Sequence, residues 1–421
     1  MSDKWDLFTM DDFDLRGRTV LLRVDINSPI DPKSGRILDD HRIRRHLETI
    51  KDLDRSKLII IAHQSRPGKN DYTTLDAHAI RMSQLLGKRV EYVDGLFDSH
   101  VRTKITNMKD GDKLLLENAR FYSEETSLKG NKDWNKHQNT HIVQKLAPMI
   151  DFFIHDAFAA AHRAQPTLIG FSEVVPSLAG RVMQKEIDDM GKAFEDGMNP
   201  KIAILGGMKV DDSIEVADHM LESGAIDKIL TTGVVAQFFL IAQGIDLGKG
   251  SMDFIDKEIS DYEKLVEKAK DMLERWDGKI KVPNAVAVND NGTRSDLSVD
   301  KLPSEHPIFD IGLDTVVDYE EDIRNSKLVV VNGPAGAFEY DSFSIGTTEL
   351  FRTVAHSDAF SIIGGGHSVA VVEKLDIEGD IDHISTGGGS CINFLAGKEL
   401  PGIEALEKSK RIFRQGPFQK K

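Results

Sequence analysis

At 421 residues the chain exceeds what one hydrophobic core comfortably fills, and two domains are the simplest division. Apolar residues at 40% and charged residues at 29% fit a folded globular protein, while 54 basic against 69 acidic residues, a formal charge of −15, argues against the broad basic face that nucleic acid or an anionic membrane needs. The lone Cys391 rules out an intramolecular disulfide and a cysteine zinc site, and an acidic start without an apolar stretch, with no later run of membrane-spanning length, leads to the expectation of a cytoplasmic protein.

Along the chain, short Leu-rich or β-branched runs recur at Thr19–Val24, Lys57–Ala62, Arg89–Val93, Lys113–Leu116, Phe152–Ile154, Lys201–Leu205, Lys228–Thr231, Lys327–Val331, Phe360–Ile363 and His383–Ser385. Their continuous apolar character predicts strands buried on both faces of parallel sheets. Helix-like stretches such as Ile43–Asp52, Ala77–Leu86, Asn139–Ala147 and Glu258–Arg275 fall between them, so the expected fold is α/β and doubly wound. Ser177–Asp196 breaks the alternation: Leu178, Val182, Met183, Ile187, Met190 and Phe194 recur at helical spacing between Pro176 and Gly197. A helix there, dividing the strands into two groups, predicts a connector between domains.

In open parallel sheets ligands bind beyond the carboxyl ends of the strands, and the residues there fall into two sets. After the early strands come Asp25 and Asn27 (RVDINSP), His63 and Arg66 (IAHQSRPG), Glu117, Asn118 and Arg120 (LLENARF), and His155, Asp156, His162 and Arg163 (IHDAFAAAHRA). After the later strands come glycines: Gly206 and Gly207 with Lys209 (ILGGMKV), Gly333 and Gly336 (VVNGPAGAFE), Gly364–Gly366 (IIGGGHS) and Gly387–Gly389 (ISTGGGS). Guanidinium groups fork around carboxylate and phosphate oxygens, so the first set points to a small acidic, phosphorylated metabolite. Glycines at strand-to-helix turns let backbone N–H groups approach phosphates, so the second set points to a nucleotide. One such Arg alone is an ordinary surface ion pair, and one such Gly pair an ordinary turn. Their recurrence at successive strand ends carries the reading. A GxxxxGK[ST] loop, an early GxGxxG and the HRD and DFG signatures are all missing, which sets aside P-loop ATPases, dinucleotide-binding dehydrogenases and protein kinases.

Taken together and in this order, RVDINSP, DAFAAAHRA, GGMKV, NGPAGAFE and STGGG resemble the phosphoglycerate kinase family, from the first motif through to Lys398–Gly402. The resemblance implies two Rossmann-like three-layer domains with parallel sheets joined by a hinge helix. The implied bounds are 1–176 for the phosphoglycerate domain, rejoined by 399–421, then 177–197 for the interdomain helix and 198–398 for the nucleotide domain. It implies reversible transfer between 1,3-bisphosphoglycerate with ADP and 3-phosphoglycerate with ATP, using Mg²⁺, by a monomer or homodimer that closes about the Ser177–Asp196 region. A nucleotide-dependent regulatory protein without turnover is the rival reading.

By the same resemblance, Asp25, Asn27, Arg42, His63, Arg66, Arg120 and Arg163 form the phosphoglycerate site, with Arg42 at the reacting end. Gly206, Gly207, Lys209, Gly312, Asn332, Pro334, Glu339, Gly364, Gly365, His367 and Ser368 form the nucleotide site, Glu339 at the ribose. Arg42, Lys209 and the backbone N–H groups of Gly366 and Gly389 are the implied catalytic groups. Two positions depart from the pattern: Ser213 stands where many members carry a second lysine, and His367 where many carry the aspartate that contacts magnesium. The GGGH variant is similar to archaeal-type members, and the protein ligand of the metal is left unassigned.

Overall fold

The computed structural model describes residues 5–259 and 261–414. The chain divides into two compact units, one running to Asp188 and rejoined from Glu399 onward, the other spanning Asp189–Lys398.

The first unit is built on a six-stranded parallel sheet of β1 (Thr19–Arg23), β2 (Lys57–Ile61), β3 (Glu91–Val93), β4 (Lys113–Leu116), β5 (Phe152–His155) and β6 (Ser177–Ala179), in the order β3-β4-β2-β1-β5-β6. Side chains alternate across a strand, and here both faces are apolar. Val20, Leu22, Leu58, Ile60, Phe152 and Ile154 pack into one core, and Leu21, Ile59, Ile61, Leu114, Leu116 and Phe153 into the other. Burying each such side chain contributes about 1.5–3 kcal/mol, which is why the apolar run itself encodes the strand. The chain winds outward from β1 through β2 and then returns to place β5 on the other side of β1, so the strand order reverses between β1 and β5.

The second unit contains β7 (Lys201–Leu205), β8 (Lys228–Thr231), β9 (Ile280–Lys281), β10 (Ala285–Asp290), β11 (Thr293–Ser298), β12 (Ile308–Ile311), β13 (Leu328–Asn332), β14 (Phe360–Gly364) and β15 (His383–Ile384). Six of these make a parallel sheet ordered β15-β14-β13-β7-β8-β9, whose order reverses between β7 and β13. The other three make a small antiparallel sheet ordered β11-β10-β12. The two parallel sheets thus match the expected fold class, and the antiparallel sheet is additional to it.

The stretch predicted as a helix from Ser177 needs correction. Ser177–Ala179 is strand β6, pairing in parallel with Phe153–His155, and the helix is Arg181–Gly191, followed by a 3-10 turn at Lys192–Phe194. Tertiary contacts override the helical spacing at its start: Leu178 is wholly buried in the first core, and the Ser177 N–H donates to Ser409 Oγ at 2.8 Å. Gly180 makes the turn between them, because a Cβ there would lie 2.2 Å from Asp156 Oδ1. That carboxylate oxygen accepts from the Val182 and Met183 N–H groups at 2.9 and 3.3 Å, capping the helix. The boundary between the two units falls within this helix, between Asp188 and Asp189. Ile43–Asp52 is likewise two short helices, His41–Arg45 and Leu47–Asp52, parted at His46, whose ring bonds Asp156 Oδ2 at 2.7 Å. No helix among the described residues is long and apolar enough to cross a membrane.

Candidate active site

At the carboxyl end of the first sheet, the segments following β1, β2, β4 and β5 carry Asp25 and Arg42, His63 and Arg66, Arg120, and His162 and Arg163 toward the point where strand order reverses. Arg42 Nη1 donates to Asp25 Oδ2 at 2.6 Å, and Asp25 Oδ1 accepts the Asn27 N–H at 3.1 Å. Burial alone would raise the Asp25 pKa, but the charges of Arg42 and Arg23, with the Asn27 N–H, outweigh it and hold the carboxyl at about 2. His63 is buried, and its Nδ1 accepts from Arg23 Nη2 at 2.7 Å. Burial and the neighbouring Arg23 push its pKa well below the usual value, so the ring is neutral with its proton on Nε2.

Arg23, fully buried at the end of β1, gives no sequence signal of its own because it occupies a strand position next to the RVDINSP acid. Its Nε donates to Thr167 Oγ1 at 3.1 Å, and that hydroxyl donates to the buried Glu125 at 2.6 Å. Arg163 Nε donates to His162 Nε2 at 3.1 Å. The Arg120 pKa is brought down to about 10 by burial and by repulsion from Arg163 and Arg23. Arg163 is lowered too, by burial first, with Arg42 adding repulsion and Asp25 opposing it. Arg66 is exposed and donates no described hydrogen bond, so it stands in the same loop as His63 without joining the bonded group.

Buried amides brace these loops against one another. Asn118 Oδ1 accepts from the N–H groups of Gln64 and Arg120, each at 3.1 Å, and its Nδ2 donates to the carbonyls of Gln64 and Thr73, each at 2.9 Å. All four of its hydrogen-bonding capacities are filled, so the loops after β2 and β4 move as one.

In the second unit a cleft of about 320 Å³ opens at the carboxyl end of the sheet, with Gly207, Pro334, Glu339 and His367 among its lining. Its walls are largely apolar, drawn from Val234, Leu240, Phe254, Val286, Ile308, Phe309 and Phe338. At the reversal between β7 and β13 the strand ends nearly touch: Gly206 N–H donates to Asn332 O at 2.9 Å and Gly207 N–H to Pro334 O at 3.0 Å. Gly206, Lys209, Gly312, Asn332, Gly364, Gly365, Gly366 and Ser368 are not among the residues that line the cleft: Asn332 and Gly364 end β13 and β14, Gly206 follows β7, and the others cap or open the helices that start beside them. Ser368 is buried and accepts the Gly333 N–H at 2.7 Å, tying the triple-glycine turn to the neighbouring loop. In the helix Gly366–Leu375 the first backbone bond runs from Val369 N–H to Gly365 O, leaving the N–H groups of Gly366, His367 and Ser368 without intrahelical partners. Lys209 is exposed at the start of the helix Val210–Glu222. Gly389 is exposed in the first turn of Gly388–Leu395, beyond the edge strand β15.

Asp310 is the least legible member of this cleft. Its carboxylate accepts from Arg294 Nη1 and from the Gly346 N–H, both at 2.8 Å, and a Cβ on either Gly336 or Gly346 would meet its Oδ1 at 2.4 Å. Burial raises its pKa to about 6 against the pull of Arg294. It therefore fixes the turn that carries Gly336 and Glu339.

A magnesium requirement, implied by the resemblance, finds no matching donor set here. Among the described residues no group of three or more His, Cys, Asp or Glu side chains could hold a metal ion, and His367 presents an exposed imidazole where a hard cation prefers carboxylate oxygen.

Residues 10–398 match the family model described as phosphoglycerate kinase. A phosphoglycerate kinase of Methanothermobacter thermautotrophicus is 50% identical over 404 residues, covering 96% of this chain and 97% of that protein. One of Methanosarcina mazei is 48% identical over 411 residues, covering 97% of each. The crystal structure of phosphoglycerate kinase from Pyrococcus horikoshii superposes with a TM-score of 0.86 at 40% identity, covering 97% of this chain and 100% of that one. These likenesses give no support to the rival reading as a regulatory protein without turnover. The chain belongs to the phosphoglycerate kinase family.

Proposed function

We propose that the arginine group of the first unit holds 3-phosphoglycerate or 1,3-bisphosphoglycerate, and that the cleft of the second holds ATP or ADP, for the reversible phosphoryl transfer of glycolysis and gluconeogenesis. The substrate half is supported by the gathering of guanidinium groups at the carboxyl end of the first sheet: burial lowers the Arg120 pKa most, and Arg163 and Arg23 add a repulsion, partly offset by Glu125 and Asp25, that a bound phosphate or carboxylate would relieve. The nucleotide half is supported by the apolar cleft, suited to a base, beside free N–H groups at the start of Gly366–Leu375.

Phosphoryl transfer needs in-line placement and neutralised charge more than covalent chemistry. Arg42, fixed by Asp25, supplies positive charge at the reacting carboxyl. His63, neutral with Nε2 protonated, donates a hydrogen bond without adding charge. Arg120, Arg163 and Arg66 hold the distal phosphate. Lys209 and the N–H groups of Gly366 and Gly389 face the transferred phosphoryl, and Glu339 takes the ribose hydroxyls. Magnesium enters with the nucleotide as part of the substrate, held by phosphate oxygens and water. A reaction between soluble metabolites supports a cytoplasmic location. A coupled assay with ATP, Mg²⁺ and 3-phosphoglycerate tests the reading: saturable turnover is expected, and none with 3-phosphoglycerate would overturn it.

A further inference from the structure

Ser65 adopts the left-handed backbone conformation, with φ at +54°, between His63 and Arg66. A residue with a Cβ stays there only when its surroundings hold it, and such residues gather at functional sites. Ser65 is held at every polar group it has. Its N–H donates to Asn27 Oδ1 at 2.7 Å, its hydroxyl donates to Asp71 Oδ1 at 2.6 Å, and its carbonyl accepts from Arg120 Nη1. Its partners on the site side are thus two residues of the phosphoglycerate group, and its partner on the other side is an acid outside that group.

The consequence follows from the direction of the carbonyl. Arg120 is half-buried and its Nη1 donates to the Ser65 carbonyl, so its guanidinium loses an acceptor if that oxygen turns away. Moving Ser65 out of the left-handed region would rotate both flanking peptide groups, turning the carbonyl from Arg120 and the N–H from Asn27. The Asp71 hydrogen bond opposes that movement, acting as a latch from outside the site.

We infer that Ser65 is a positioning residue for the reaction: latched by Asp71 in its left-handed turn, it aims Arg120 and Asn27 at the phosphoglycerate. The inference rests on the substrate assignment proposed above. Ser65→Ala keeps a Cβ in the unfavourable region and removes the latch, so the KM for 3-phosphoglycerate rises about tenfold, as expected for one misplaced charged hydrogen bond. Asp71→Ala, which keeps the Ser65 side chain and removes only its acceptor, raises it about threefold. Ser65→Gly accepts the backbone conformation freely and keeps both peptide groups, so it recovers most of the loss.

Steady-state kinetics of the full-length variants in both substrates, with thermal midpoints alongside, tests this, and Arg163→Ala serves as a reference for the substrate assignment. A rise confined to 3-phosphoglycerate, with the KM for ATP unmoved and glycine better than alanine, supports the inference. Equal rises in both KM values, or glycine no better than alanine, would reduce Ser65 to a turn residue and overturn it. If Ser65→Ala and Asp71→Ala leave the 3-phosphoglycerate KM unmoved while Arg163→Ala raises it, positioning by Ser65 is wrong and the substrate assignment stands. Were Arg163→Ala also without effect, the assignment would fall and the inference with it.

Discussion

Gly206→Ala probes the reversal point of the second sheet, where β7 and β13 end side by side. The added methyl would stand 2.3 Å from Thr232 Oγ1 and 2.4 Å from the Pro334 carbonyl oxygen, whereas ordinary contact begins at 3.4 Å. The hydroxyl can rotate away. The carbonyl cannot, being main chain, and must retreat by about 1 Å. That oxygen accepts the Gly207 N–H at 3.0 Å, so the retreat breaks the bond that sets the turn beside the cleft. Overpacking costs about 1–3 kcal/mol and the lost hydrogen bond about 1 more, for a destabilisation of about 2–4 kcal/mol. With Gly207 and Pro334 both lining the cleft, the KM for ATP is expected to rise at least about tenfold while that for 3-phosphoglycerate holds. Initial-rate kinetics in each substrate, run well below the thermal midpoint, separates the two constants. An unchanged KM for ATP, or a rise in that for 3-phosphoglycerate alone, would refute the placement of the nucleotide in the second unit.

Arg42→Ala is expected to lower kcat by at least about 100-fold while leaving nucleotide affinity near the parent value, since its charge counts most when the phosphoryl is between acceptors. Unaltered turnover would remove Arg42 from the reacting end. His367→Asp is expected to lower the free magnesium needed for half-maximal activity, because a carboxylate at the start of Gly366–Leu375 suits a hard cation as imidazole does not; superimposable magnesium titrations would take position 367 out of contact with the metal. Acid should weaken the protein in two windows, readable as urea midpoints from pH 7 downward. Burial pushes His78 and His155 down to about 4 and about 3, so both stay neutral when folded, while the unfolded chain protonates each below about 6.5. Unfolding then takes up protons, and stability falls between about pH 6.5 and 4 by about 1.4 kcal/mol per pH unit for each histidine. Asp310, raised to about 6, has the opposite sign and offsets one such proton between pH 6 and its unfolded value of 3.8. Asp25, held at about 2, gives up its contribution only below pH 3.8, as the pH falls through its folded value. Midpoints flat from pH 7 to 5 would contradict the neutral buried histidines.

Strands buried on both faces were the readable part of this chain because their apolar content is local: Val20–Leu22 or Val329–Val331 need no partner to declare themselves. The antiparallel sheet escapes the same reading. In β11, TRSDLS, no residue is buried, and its pairing with β10 follows from the Asn291–Gly292 turn and the backbone ladder rather than from side-chain hydrophobicity. β6 is hidden for a different reason. Leu178, Val182 and Met183 satisfy a helical period by coincidence across the Gly180 turn, and only β5 and Ser409, far away in sequence, decide that Ser177–Ala179 extends.

The site divides along the same line. Residues that follow strand ends can be picked out by type and place, as Asp25, Arg120 and Arg163 are, whereas Arg42, in the helix His41–Arg45, is implied only by the family resemblance. Residues that hold those in position are recognisable only from three-dimensional partners: Arg23 through His63, Asn118 through four peptide groups, Asp310 through Gly336 and Gly346. The net charge of −15 conceals the local balance as well, since Arg23, Arg42, Arg120 and Arg163 gather where Asp25 and Glu125 are the acids that act on them. In low dielectric, charge that water no longer screens acts over several ångströms, so a small local excess of arginine governs what binds even on an acidic protein. Burial is the first cause of the lowered Arg120 and Arg163, and the neighbouring guanidinium groups add to it, so groups that taken singly from the sequence would be ordinary surface residues act on one another here.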